Sequence, residues 1–194
     1  MNTRRTRRIL ATGGLTAALL AGPAAPLAMG STTGSTTDGR SGRVDTGRQP
    51  LLSYHATFVP PDGAARVRAH GKDGRTVVKL RVWGLVPNRA YGAHAHKAAC
   101  GATDPTAAGG HFQHAQDPVQ PSTDPAYANA ANEIWLDFTT DAHGNATARA
   151  VVDWRFPDDR RPGSVIIHDH HTMTGPTGKA GTAGARHGCL TVPF

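Results

Sequence analysis

Thr76-Val77-Val78-Lys79-Leu80-Arg81-Val82-Trp83-Gly84-Leu85 is the strongest β run in the chain, with apolar side chains at Val77, Val78, Leu80, Val82 and Leu85. Such a run fits a pleated, half-buried surface. Ahead of it, Ala64 to His70 alternates in polarity and ends at Gly71-Lys72-Asp73-Gly74. An Asp-Gly turn between two such runs signals a hairpin. Working outward, further strands are expected at Leu52 to Val59, Tyr91 to His96, Glu133 to Thr139, Ala146 to Trp154, Ser164 to His168 and Cys189 to Val192. The first is closed by Pro60-Pro61-Asp62-Gly63. Asp141-Ala142-His143-Gly144-Asn145 marks a second hairpin. There is no internal repeat and no long amphipathic helix. About eight short antiparallel strands with frequent turns predict an all-β fold, a Greek-key barrel or sandwich. Two long segments interrupt it, 97–131 and 169–187, and long loops of this kind are often functional.

The 194-residue length suits one domain plus a leader, and 23 Gly with 14 Pro fit a turn-rich chain. Arg4, Arg5, Arg7 and Arg8 precede an apolar stretch, Ile9 to Ala28, that is broken by Gly13, Gly14, Gly22 and Pro23 and ends in small residues. A basic, an apolar and a small-residue region in that order describe a signal peptide over 1–30, loosely of the twin-arginine type, and predict secretion. Residues 31–50 are polar and rich in Gly, Ser and Thr, and read as a flexible linker. The folded domain is expected from about Leu51 to Phe194. The leader accounts for four of the 21 bases and none of the 14 acids, so the remainder is only mildly basic. That gives no case for nucleic acid as a partner. No apolar run reaches the roughly 18 residues of a membrane span. Cys100 and Cys189 are the two cysteines, and in an exported protein a disulfide is the expected state.

The chemistry is carried by histidine. Eleven occur, and their placement matters more than their number. His94-Ala95-His96 falls on an expected strand, where residues two apart share a face. Two imidazoles there can converge on one metal ion. Gly109-Gly110-His111-Phe112 sets a third histidine beside glycines that allow close backbone approach. Ile166-Ile167-His168 sets a fourth at the end of an apolar β run. Trp83, Trp135 and Trp154 sit on strand candidates and read as packing residues.

These ordered motifs resemble the copper/zinc superoxide dismutase family over about residues 51 to 194. The resemblance rests on Tyr91-Gly92-Ala93-His94-Ala95-His96, Cys100, Ala108-Gly109-Gly110-His111-Phe112, Gly163-Ser164-Val165-Ile166-Ile167-His168, and Gly181-Thr182-Ala183-Gly184-Ala185-Arg186-His187-Gly188-Cys189. It implies copper ligation by His94, His96 and His168, with His111 as the histidine that bridges copper to zinc. It implies a Cys100–Cys189 disulfide tying the long loop to the barrel. It implies Arg186 as the catalytic arginine that attracts the superoxide anion, with Lys179 available to the cationic rim. The implied reaction converts superoxide to dioxygen and hydrogen peroxide.

The zinc half departs from the family. Beyond His111 the segment to Asp141 holds one further histidine, His114. The stretch that should carry the remaining ligands reads Ala131-Asn132-Glu133-Ile134-Trp135-Leu136-Asp137, and the zinc aspartate aligns with Ile134. Two readings follow. The site takes copper alone, with His111 as a fourth ligand, or a rearranged second site uses His114, Asp117, His170 or His171. The loop after His168 is also short, which predicts an open copper site. A non-catalytic copper-buffering protein on the same fold, or a degenerate interaction domain, are the competing functions.

Overall fold

The computed structural model describes residues 42–194. The leader at 1–30 and the first part of the linker lie outside the described residues. Among those described, eleven strands form. In chain order they are β1 (Val44–Asp45), β2 (Gln49–Pro50), β3 (Leu52–Ser53), β4 (Ala64–Lys72), β5 (Arg75–Trp83), β6 (Ala90–Tyr91), β7 (Ala93–His96), β8 (Phe138–Thr139), β9 (Ala146–Val152), β10 (Ser164–His168) and β11 (Arg186–Thr191). Among the described residues the one helical piece is a 3-10 turn, Pro105–Ala108.

All named strand pairs are antiparallel. One sheet runs β1-β4-β5-β9, with β2 also on β4. The second runs β3-β11-β10-β7, and β6-β8 is a separate ribbon. The β4–β5 hairpin turns at Asp73 and Gly74, whose φ values of 49° and 79° give the doubly left-handed backbone of a two-residue hairpin turn. The two sheets face each other. Val67, Val78, Leu80 and Val82 of the first pack in one core with Ala93, Ala95, Val165, Ile167 and Leu190 of the second. The expected all-β fold is therefore present, as a sandwich.

Three boundaries differ from expectation. The folded part does not start near Leu51: Val44 and Asp45 already pair with Ala69 and Arg68. An Asp45 carboxylate held by Arg66 and Arg68 fixes that segment to β4, and polarity of the surrounding residues hid it. The run Leu52 to Val59 leaves the sheet after Ser53, because Tyr54 and His55 both donate their amides to His187 O and the chain then turns at His55 to Val59. Glu133 to Thr139 is strand only at Phe138–Thr139. Upstream it touches β7 through one bridge, His94 with Trp135, with Leu136 N bonded to Ala93 O at 2.7 Å and Ala95 N to Ile134 O at 3.2 Å.

The register decides which side chains face the metal-competent side. Ile166 lies opposite His94 and Ser164 opposite His96, while Ala93 and Ala95 lie opposite Ile167 and Val165. The alanines enter the core, so His94 and His96 stand on the outer face of the second sheet. That face is covered by the segment after β7. Ala108, Ile166 and Cys189 form a small second apolar cluster there with Leu52, Tyr54 and Cys100 around it. The Cys100–Cys189 disulfide closes the cover.

Candidate metal centre

His94, His96, His111 and His168 come together. One ring nitrogen of each lies within 4.8 Å of the others, and among the described residues this is the one group of three or more potential ligand side chains at such spacing. β7 supplies His94 and His96. His111 comes from the covering loop through a bridge to His96. His168 ends β10, where the ladder to β11 slips by one residue and pairs it with Arg186.

Each ring is held by its far nitrogen. His96 Nδ1 bonds Gly109 O at 2.9 Å, and His168 Nδ1 bonds Gly184 O at 3.3 Å. A carbonyl can only accept, so both Nδ1 atoms carry the proton. Both Nε2 atoms are then unprotonated, and they face each other at 3.3 Å. That contact has no proton to share, and a cation between the lone pairs would relieve it. His111 Nδ1 donates to Glu133 Oε2 at 2.7 Å. His94 is inverted: its Nε2 donates to Thr172 Oγ1 at 2.5 Å, and the threonine hydroxyl donates on to Asp137 Oδ1 at 2.7 Å. His94 Nδ1 is left buried with no hydrogen-bond partner. An orphaned buried nitrogen costs free energy unless something fills its lone pair. The donor set therefore fits a metal ion.

Burial also keeps the His94, His96 and His168 rings neutral. It pushes the pKa of His94 and His96 well below the ordinary imidazole value, and the neighbouring His111 and His168 add to the effect. For His168, burial first and His111 second bring it to about 3. Neutral imidazole is the form that ligates.

A cavity of about 420 Å³ opens onto the cluster. His111, Glu133, His168, Thr182 and Arg186 are among its walls. Arg186 is half-buried, and its two terminal nitrogens donate to Pro105 O and Gly109 O, both at 2.7 Å. The expected arginine is thus beside the cluster. Lys179 is not among the residues that line that cavity.

The rearranged second site is not assembled. His114 stacks on Trp154, ring centroids 4.9 Å apart and nearly parallel, outside the four-histidine group. Asp117 spends its oxygens on Val119 N and Ser122 Oγ. His170 Nδ1 is taken by His171 O, and His171 Nε2 by Phe138 O. Ile134 is fully buried in the core. In each case a local partner outcompetes convergence.

Three functional residues escaped the sequence reading. Glu133, 1% exposed, accepts from His111, from Gln113 Nε2 at 2.8 Å and from Trp135 Nε1 at 2.7 Å. It lies one residue before the position of the missing zinc aspartate, and an unexplained acid there was the available signal. Thr172 and Asp137 carried no such signal, because their relay joins two loops distant in sequence.

No sequence-family profile and no curated relative matches the chain. The likeness is structural. A Cu/Zn superoxide dismutase from Brucella abortus superposes with a TM-score of 0.51 at 20% identity, covering 75% of this chain and 99% of that one. A double mutant of a superoxide dismutase-like protein from Bacillus subtilis gives 0.52 at 18% identity, over 75% and 95% of the two chains. A single mutant of that protein gives 0.51 at 18%, over 75% and 97%. The chain has the fold of the Cu/Zn superoxide dismutases.

Proposed function

We propose that the protein is a copper-dependent superoxide dismutase whose centre takes copper without zinc. The observation that carries this reading is the convergence of ring nitrogens from His94, His96, His111 and His168 within 4.8 Å of one another, beside a cavity that His111, His168 and Arg186 line. Imidazole ligands suit copper, which also tops the affinity order of the divalent first-row metals. His94 would ligate through Nδ1, and His96, His168 and His111 through Nε2. Copper, when bound, supplies the one-electron couple for turning two superoxide anions and two protons into dioxygen and hydrogen peroxide. Arg186 docks the anion against His168. Glu133 holds the proton on His111 Nδ1, the nitrogen that would otherwise be free for a second metal, and its carboxylate takes the place of that charge. Export through the 1–30 leader accords with the disulfide, which belongs to an oxidising compartment.

Purified protein loaded with copper should bind one ion per chain, show a nitrogen-ligated copper resonance and consume superoxide. His168→Ala should lose both metal and activity. Activity no greater than that of free copper ions would sink the enzyme reading. A second reading, a non-catalytic copper-holding protein, is favoured by the engagement of Arg186 with two carbonyls, which suffices for a structural role. Arg186→Ala separates the two. A dismutase slows and loses its salt dependence, whereas a copper holder keeps its affinity.

A further inference from the structure

The outer face of the first sheet is a grid of cations that folding does not explain. On β4 the outward positions are Arg66, Arg68 and His70, and on β5 they are Val77, Lys79, Arg81 and Trp83. β9 adds Thr147, Arg149 and Val151. The registers set like charges directly opposite. Arg66 faces Arg81, and Arg68, Lys79 and Arg149 form one row across three strands. Like charges directly opposite destabilise a sheet, so this arrangement opposes folding. Neighbouring strands lie about 4.8 Å apart, and outward positions recur every ~6.8 Å along each strand. The result is a two-dimensional array of positive charge rather than a line.

One acid answers it. Asp45 binds Arg66 and Arg68. Lys79, Arg81 and Arg149 have no carboxylate within ion-pair distance among the described residues. Arg81 and Arg48 lie over the Trp83 ring at 4.9 and 5.0 Å, which keeps cations where a nucleobase would otherwise stack. Two shallow hollows sit between the charges. One, of about 400 Å³, is bounded by Arg43, Asp45, Arg68, His70 and Lys79, with the Asp45 carboxylate turned to Arg66 and Arg68. The other, of about 250 Å³, lies between Arg66, Lys79, Arg81 and Trp83.

We propose that this face docks the protein on an anionic lipid bilayer, with headgroup phosphates seated among Arg66, Arg68, Lys79, Arg81 and Arg149. A flat array meets a plane of headgroups, whereas a linear polyanion would engage a groove or a single stripe. The only apolar side chain well exposed on the grid is Val151, so attachment is electrostatic and reversible, without insertion. The metal cluster lies on the outer face of the other sheet, so a docked molecule keeps that cavity toward solvent.

The test is co-sedimentation of the full chain with phosphatidylglycerol/phosphatidylcholine vesicles at low salt, with pure phosphatidylcholine vesicles as the uncharged control; Arg4, Arg5, Arg7 and Arg8 of the N-terminal segment are common to every variant compared, so their contribution cancels. A juxtamembrane cation is worth about fivefold in binding, so Lys79→Gln with Arg149→Gln should weaken retention on the order of thirtyfold. The same pair should raise the thermal midpoint or leave it unchanged, because it removes a like-charge row. A charge-matched pair on the loops of the other sheet, Lys97→Gln with Lys179→Gln, should retain binding. Three results overturn the proposal: equal retention of the Lys79/Arg149 variant, an equal loss in the Lys97/Lys179 variant, or tighter binding to single-stranded DNA or heparin than to the anionic vesicles.

Discussion

Replacing Glu133 by Gln tests the centre at the point where it departs from a two-metal site. The side chain is almost fully buried and receives three donors: His111 Nδ1 and Trp135 Nε1 on Oε2, and Gln113 Nε2 on Oε1. An amide of the same shape has one acceptor oxygen. With that oxygen toward His111 and Trp135, the new NH2 points at the Gln113 NH2. Gln113 cannot flip to meet it, because its own Oε1 accepts from Asp117 N at 3.0 Å. Two bonds to a charged acceptor become neutral, and one pair of buried donors faces each other. At about 1 kcal/mol for each weakened bond and about 1–3 for the unpaired donor, the metal-free protein should lose roughly 3–5 kcal/mol. Loss of a partner that orients a ligand also lowers metal affinity about 10- to 100-fold. Urea unfolding of metal-free protein reads the first quantity, and chelator competition for Cu(II) reads the second. An unchanged unfolding midpoint together with affinity within about threefold of the unsubstituted protein would refute the role given to Glu133. So would two metal ions per chain in the unsubstituted protein, because the carboxylate then fails to replace the second ion.

Thr172→Val keeps the shape and removes the acceptor for His94 Nε2–H; copper affinity should fall about tenfold with a shifted copper resonance, and an unaltered resonance would count against the Thr172–Asp137 relay. The metal-free protein should weaken in mild acid. His168 sits at about 3 when folded against 6.5 when exposed, so the unfolded chain binds more protons between those values. Stability is full above pH 6.5 and falls as pH drops toward 3. His168 alone contributes about 2 kcal/mol between pH 6.5 and 5, and buried His94 and His96 act in the same direction; equal urea midpoints at pH 7 and pH 5 would contradict a neutral buried cluster. Reducing Cys100–Cys189 reopens a loop with a sequence separation of 89, which the chain-entropy account values at about 4 kcal/mol. Calorimetry of the reduced protein should show the loss, and with it weaker metal binding, since the disulfide secures the loop that carries His111.

Elements with a local signal were legible in the order of residues alone. The β4–β5 hairpin was legible from alternation and the Asp73-Gly74 turn. β10 was legible from its apolar run, and the pairing of His94 with His96 on one face follows from the two-residue period of any strand. The ordered histidine motifs pointed to copper through their resemblance to the copper/zinc superoxide dismutase family, not through spacing alone. What only the tertiary structure decided are contacts between segments far apart in the chain. A burial pattern cannot show that the outer face of the second sheet, ordinarily wetted, is roofed by residues 97–131 and so takes His94 and His96 out of water. Nor can it reveal that Glu133 satisfies His111, that Thr172 relays His94 to Asp137, or that the cations of β4, β5 and β9 fall in one row. Those facts depend on register and loop packing, where a shift of one residue would send each side chain to the opposite face.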